Sequence, residues 1–473
     1  MDDSTNMPSM KRRTFLAGAS AAAAAVAAST VPNRVAEAAD KPHGEFLIRG
    51  AAVISMDPAV GDFAKGDVHV KDGAIVAVGA RIAAPHASVI DGTNMIAMPG
   101  LIDTHWHMWE SVARNLAGDD AKTGYFPHSR TLGVLFTPED NARGVRLGLA
   151  EAIHSGITTV HNWSHNNLSP AYAEAEIAVH RESGGRARYS YGYSRKTGNN
   201  VMLPLDDIRA FHTKWFSSPE NGLITFGIAT RGPNNNPIDI CVQEMKFARE
   251  LKIPLTTHVG IEPDKNSWVE AMAKADILGP DVLLIHATNG TDAERKILDE
   301  TKTPVSCSPF TEMRTGFGVT PIVGFLANNV PIGLSVDTTM LCGNCDMFAI
   351  MKAMQNLDDG ETPSEFGITA RRVLEMGTIG GARALGLDKE IGSLSPGKRA
   401  DIILVRTDAI NMAPMADPVR MIVQAAQPAN VDTVMVDGRI LKRKGRLTTL
   451  NEAKVMREAA DTITRVSARI GKT

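Results

Sequence analysis

Two textures of hydrophobic and polar positions alternate along the chain. Short β-branched or alternating runs come first: Glu45–Ile54, Asp67–Lys71, Ala74–Val78 and Ser88–Asp91. Gly and Asp punctuate them, as at Lys71-Asp72-Gly73. Alternation with such breaks predicts strand–turn–strand in an antiparallel sheet. The same texture returns late, in Ala400–Thr407, Met421–Ala425, Val431–Val436 and Arg439–Lys444, with Asp437-Gly438 as a turn. Two distant β-rich flanks predict one small composite β-sandwich domain made by both chain ends, from residues 39–97 and 389–450. Val455, Ala459, Ile463 and Val466 then recur at helical spacing, so residues 451–473 read as a terminal helix.

Between the flanks the rhythm changes. Short apolar runs are separated by helical patterns: Ile96–Thr104, Ile157–Asn162, Ala187–Tyr193, Ile224–Thr230, Pro254–Gly260, Val282–Ala287, Pro304–Pro309 and Ile332–Asp337. Strands alternating with helices imply a parallel sheet. Eight such units over residues 98–388 predict the α/β class, as a closed (β/α)8 TIM barrel. An open doubly wound sheet is the alternative. The first strand lacks a following G-x-G-x-x-G, so a dinucleotide site has no support.

The beginning of the chain reads as a targeting segment. Lys11-Arg12-Arg13-Thr14-Phe15-Leu16 precedes an Ala-rich apolar run from Ala17 to about Ala28, and Ala36-Glu37-Ala38 offers a small-residue cleavage site. Residues 1–38 are therefore expected to be a signal peptide of the twin-arginine type, and the mature protein is expected to be exported to the periplasm. The apolar run is too short to span ~30 Å of hydrocarbon. No later segment is apolar for long enough either, so no membrane span is expected after cleavage.

Composition narrows the function classes. The chain of 473 residues is 43% hydrophobic and 22% charged, with a formal net charge of −3, which implies no strong field toward nucleic acid or an anionic membrane. Aromatics at 5% also argue against a stacking platform for single strands. A small-molecule substrate is the partner expected. Cys241, Cys307, Cys342 and Cys345 are too few for a disulfide scaffold, and Cys342-Gly343-Asn344-Cys345 lacks the second pair of a zinc ribbon.

The chemistry gathers at the ends of the apolar runs. The first ends in Pro99-Gly100-Leu101-Ile102-Asp103-Thr104-His105-Trp106-His107. Histidines at i and i+2 on a strand project to one face, so both imidazoles can reach one ion. His258 lies at the end of the fifth run, His286 at the end of the sixth and Asp337 at the end of the eighth. In a barrel those ends converge on the C-terminal mouth. Imidazoles and a carboxylate suit Zn²⁺ or Fe²⁺ and leave a position open for water. Around them, His165 is a candidate substrate contact, with His161 as its neighbour on the second strand. Trp106 is a candidate wall of the site, and Arg231, just after the fourth strand, a candidate partner for an anionic group.

This order resembles the amidohydrolase superfamily. Ile391-Gly392-Ser393-Leu394-Ser395-Pro396-Gly397-Lys398-Arg399-Ala400-Asp401 and Val436-Asp437-Gly438-Arg439 are similar to the strands of its composite domain. His107-Met108-Trp109-Glu110 and Ser308-Pro309-Phe310-Thr311-Glu312 resemble its cytosine deaminase and triazine hydrolase branch. The resemblance implies that His105, His107, His258 and Asp337 hold a divalent metal, Zn²⁺ first with Fe²⁺ or Mn²⁺ as alternatives. It implies that Asp337 also takes a proton from water, that His286 lies beside that water, and that the protein is a homo-oligomer.

Two departures from the pattern carry weight. Ile224–Thr230 holds no lysine to be carbamylated, which favours one metal over two. Deaminating members place Glu three residues after the fifth-strand histidine. Here Ile261 stands there, and the acid, Glu262, arrives one position later as the candidate proton donor. The expectation is therefore a metal-dependent hydrolase that cleaves a non-peptide C–N bond of amide, carbamate or urea type. An aminohydrolase of a purine, pyrimidine or triazine-like ring is the alternative, and a catalytically inactive binding protein on the same barrel a third.

Overall fold

The computed structural model describes residues 44–217, 222–262 and 266–470. The predicted signal segment lies outside them.

Five strands open the fold: β1 (Phe46–Val53), β2 (Phe63–Lys71), β3 (Ala74–Gly79), β4 (Ser88–Asp91) and β5 (Met95–Pro99). Eight barrel strands follow: β6 (Leu101–Trp106), β7 (Ile157–Ser164), β8 (Arg186–Gly192), β9 (Ile224–Thr230), β10 (Leu255–Val259), β11 (Val282–His286), β12 (Val305–Cys307) and β13 (Ile332–Leu334). The chain closes with β14 (Ile402–Arg406), β15 (Val431–Val436), β16 (Arg439–Arg443) and β17 (Arg446–Leu447), then a helix over Glu452–Ile470.

β6 to β13 pair in sequence order, and every pairing is parallel. Helices separate successive strands, which is the predicted barrel. The terminal strands form one nine-stranded mixed sheet in the order β17-β16-β15-β14-β5-β1-β2-β3, with β4 beside β1. The join between the two chain ends is β5 against β14, from Pro99 opposite Ile402 to Met95 opposite Arg406. Ile48, Val68, Val70, Ile75, Leu394, Ile402 and Leu404 make its own small core. A buried ion pair ties this sheet to the barrel: Arg186 Nε and Nη2 reach Asp401 at 2.7 and 3.0 Å. The helix Glu452–Ile470 lies against the helix Pro138–His154, with Val466 buried and Arg465 paired to Asp140.

Two predicted elements differ from what is observed. The run Ile96–Thr104 is two strands rather than one, because the chain passes from the terminal sheet to the barrel at Gly100. A Cβ there would collide with the Thr158 side chain, and the Gly100 amide donates to the Asp401 carbonyl at 3.0 Å. Met421–Ala425, predicted as a strand, belongs to the helix Pro418–Gln424. Asp417 caps it by accepting from the Arg420 amide, and Pro418 at the first helical position suits that start. Ile422 and Val423 satisfy a helix face as well as a strand face.

The barrel sheet is closed at one place. Between β6 and the end of the eighth strand, the His107 amide donates to the Asp337 carbonyl at 2.7 Å and the Asp337 amide to the His105 carbonyl at 2.9 Å. The buried Asp103 carboxylate spans the same seam, accepting from the His105 amide at 3.1 Å and the Val336 amide at 2.7 Å. Thr104 Oγ1 adds a bond to the Leu334 carbonyl at 3.0 Å.

A second buried carboxylate sits outside the strands. Glu176, on the helix Pro170–Ser183, accepts from the side-chain amides of Asn141 and Asn162 at 2.9 Å each. Burial pushes its carboxyl up to about 7 against those bonds. Its native form therefore binds a proton more tightly than the unfolded chain, whose carboxyl titrates near 4.5. The associated stability is full below that value and is lost as pH rises through about 7. Glu176→Gln is expected to remove this slope and to stabilise the protein by roughly 3 kcal/mol at pH 8. Urea unfolding of both proteins at pH 5 and pH 8 checks it; equal slopes would refute the assignment.

Candidate metal centre at the barrel mouth

Alternation along β6 decides which side chains enter the barrel. His105 and His107 point inward, and Trp106 between them points out, buried in the core cluster with Val145 and Leu149 of the helix Pro138–His154. Trp106 therefore does not wall the site, contrary to the expectation above. Trp163 on β7 takes that place. Its ring meets His105, His107 and His258 edge to face, at 5.6, 5.1 and 4.5 Å between centroids. The same alternation on β7, counted in twos from His161, contains the signal for it.

His105, His258, His286 and Asp337 come together as a possible metal site, with one ligand atom from each lying within 4.8 Å of all the others. His105 Nε2 is 3.2 Å from Asp337 Oδ1, and His286 Nε2 is 3.9 Å from Asp337 Oδ2. His107 stands at the edge of this group, its Nε2 3.4 Å from the same Asp337 Oδ1. His107 Nδ1 donates to the Trp163 carbonyl at 3.3 Å, which leaves the lone pair on Nε2. Both ring nitrogens of His105 are buried without a hydrogen-bond partner. A buried polar atom without a partner is costly, and a cation would satisfy it. Burial pushes the imidazoles of His105, His107 and His258 down, toward the neutral form that can coordinate. The donor set fits one divalent ion.

Backbone turns deliver the last two members. His286 and Asp337 have φ of 71° and 62°, where each chain peels away from its strand. Such left-handed conformations in residues other than glycine gather at functional sites. His286 Nδ1 lies 3.1 Å from Glu312 Oε1. Glu312 is itself held by the Ser308 amide at 2.7 Å and by the Thr320 hydroxyl. Burial pulls the His286 imidazole down, but the bond to Glu312 and the charges of Asp337 and Glu312 leave it raised overall.

The remaining candidates divide. His165 joins the site: its ring is 4.2 Å from that of His107, and Nδ1 accepts from Trp109 Nε1 at 3.1 Å. His161 lies below it as an internal strut, with Nδ1 bonded to the Thr104 carbonyl at 2.7 Å and Nε2 to Ser190 Oγ at 2.8 Å. Arg231 lies over the Tyr193 ring at 4.4 Å and donates to the Thr197 carbonyl and Asn199 Oδ1, so it braces the loop after β8. Glu262 is exposed on the loop after β10, and its carbonyl accepts from Asn289 Nδ2 at 2.5 Å. Ile261, half-buried, holds the preceding position. Sequence reasoning did not single out Arg195, whose charge acts on His107, His165 and His258 and which donates to Ser129 Oγ at 3.0 Å.

The chain is similar to known proteins over most of its length. The amidohydrolase family model matches residues 96–441. A 5'-deoxyadenosine deaminase of Methanosarcina mazei is 30% identical over 440 residues, covering 90% of this chain and 99% of that protein. A 5-methylthioadenosine/S-adenosylhomocysteine deaminase of Pelotomaculum thermopropionicum is 28% identical and covers 88% of this chain and 97% of its own. Among solved structures, a zinc-bound adenosine deaminase from Xanthomonas campestris superposes with a TM-score of 0.82 at 21% identity, covering 90% of this chain and all of that one. Atrazine chlorohydrolase from Arthrobacter aurescens, complexed with zinc, reaches 0.76 at 21% identity and covers 88% of this chain and 100% of that one.

If Glu312 orients the His286 ring, Glu312→Gln keeps the shape and removes the charge. We expect turnover to fall roughly tenfold or more, with bound metal and the circular dichroism spectrum unchanged. Unaltered turnover would remove Glu312 from the site.

Proposed function

Because this chain belongs to the amidohydrolase family and is a metal-dependent hydrolase of C–N bonds, we propose that it is an aminohydrolase of adenosine-type nucleosides. Water replaces the exocyclic amino group of the purine ring, and ammonia leaves. The single observation that carries this reading is similarity to a 5'-deoxyadenosine deaminase over 90% of a chain that also assembles His105, His258, His286 and Asp337. Similarity to deaminases favours this reading over the amide, carbamate or urea cleavage that the displaced acid suggests.

In this reading His105, His107, His258 and Asp337 hold one Zn²⁺. When bound, a divalent ion of this kind makes water a nucleophile at neutral pH. Asp337 accepts the proton that water gives up and returns it to the leaving nitrogen, so the proton count closes with NH₃. His286, fixed at Nδ1 by Glu312, presents Nε2 to the developing oxygen. Trp163 and His165 pack the ring, and Trp163 excludes water from the imidazoles it meets. Glu262, on the loop that leaves the fifth strand, protonates the ring nitrogen and takes back the second water proton as the new C–OH becomes a carbonyl. Ile261 gives one specific reason to keep amide or carbamate hydrolysis as a second reading, since that chemistry needs no ring protonation.

Zinc-loaded protein incubated with 5'-deoxyadenosine, methylthioadenosine and S-adenosylhomocysteine is expected to release ammonia and to convert the adenine spectrum to that of hypoxanthine. Chelation is expected to lower the rate by about a hundredfold or more, with recovery on adding Zn²⁺. Glu262→Gln is expected to cut kcat/KM by about 10²–10⁴ on these substrates. Turnover of aryl carbamates or amides with none of the nucleosides would replace this reading with the second one.

A further inference from the structure

The barrel holds a second polar cavity at the end opposite the metal group. It encloses about 330 Å³ beside the first residues of the third, fifth and sixth barrel strands. Ile253, Pro254 and Leu283 give it apolar walls, while Arg188, Arg249, Lys252 and Asp281 supply its charges. Arg249 is accounted for, since Nε holds Asp281 at 3.0 Å. Arg188 and Lys252 are different. Among the described residues no carboxylate lies within ion-pair distance of either.

Arg188 is the informative one. It projects from β8 and is only 8% exposed. One amino group donates to the Leu385 carbonyl at 2.5 Å, and Nε is buried without a partner. Burial pulls the guanidinium down to about 10. A buried charge without a counter-charge is expensive, and proteins keep one where something supplies the missing sign. A guanidinium offers a planar fork matched to two oxygens, and a lysine at the same cavity adds a movable point charge. The volume is at the lower end for small-ligand sites.

We infer that this basal cavity binds a small oxyanion, a phosphate or carboxylate group on a compact apolar body, gripped by Arg188 and Lys252. The site is separate from the catalytic mouth and independent of which C–N bond is cleaved there.

Metal-loaded full-length protein should be titrated with inorganic phosphate, methyl phosphate and propionate, following heat release and thermal unfolding against sodium chloride of equal ionic strength. Saturable binding of at least one anion is expected, with unfolding shifted upward as mass action requires. Phosphate preferred over propionate, or the reverse, identifies the headgroup. Arg188→Met and Lys252→Gln should each weaken that binding about tenfold or more and leave turnover unchanged. No response beyond chloride would overturn the proposal and leave Arg188 as a strut across the barrel base. Full binding in both variants would also overturn it, because the anion would then sit outside this cavity. Lys252 is exposed, so its variant decides the matter if Arg188→Met does not fold.

Discussion

Asp103 accepts hydrogen bonds from two backbone amides, one on its own strand and one at the end of the eighth, and the mouth of the barrel depends on that seam. The strands pair in order from first to eighth, so the spacing of all the middle ones is set by their neighbours. Only the first and the eighth must find each other at the end. They do so through Asp103, Thr104 and the amides of His107 and Asp337, within two residues of the side chains proposed to hold the ion. The separation of His105 and Asp337 is therefore a backbone distance, fixed before any ligand arrives. This is preorganisation in a concrete sense: side-chain freedom has been spent in folding rather than left for binding.

Around that seam the electrostatics are divided between neutral donors and held carboxylates. Burial keeps three imidazoles uncharged, while the fourth, His286, leans on Glu312. A divalent ion entering such a place meets lone pairs and one nearby carboxylate instead of competing cations. The aromatic edge of Trp163 covers three of the four imidazoles and limits the water that can screen them.

Much of this was legible in the sequence, and for physical reasons. A barrel strand buried on both faces is a short apolar run, and all eight were visible as such. The motif from Pro99 to His107 fixed two inward side chains by period alone. What escaped was of other kinds. Gly100 splits one apolar run between two sheets because of a clash with Thr158, which is invisible until the second strand is placed. Met421–Ala425 suits either period at five residues, and Asp417 with Pro418 tips it to a helix. Trp106 was assigned to the site by nearness in sequence, although the alternation that sends His105 in must send Trp106 out. Trp163 needed the second strand's phase, and Arg195 needed the path of a loop that no periodicity describes.

The sheet made by both chain ends has a consequence for synthesis. β5 precedes the barrel and β14 follows it, yet each is the other's neighbour in the sheet. Until the last strands have left the ribosome, β5 presents an open edge with unpaired amides and carbonyls, and edges of that kind attract other chains. A contact joining residues some three hundred apart is also slow to form. A chain that ends before β14 therefore leaves β5 without its neighbour in the terminal sheet, an edge that the finished protein covers.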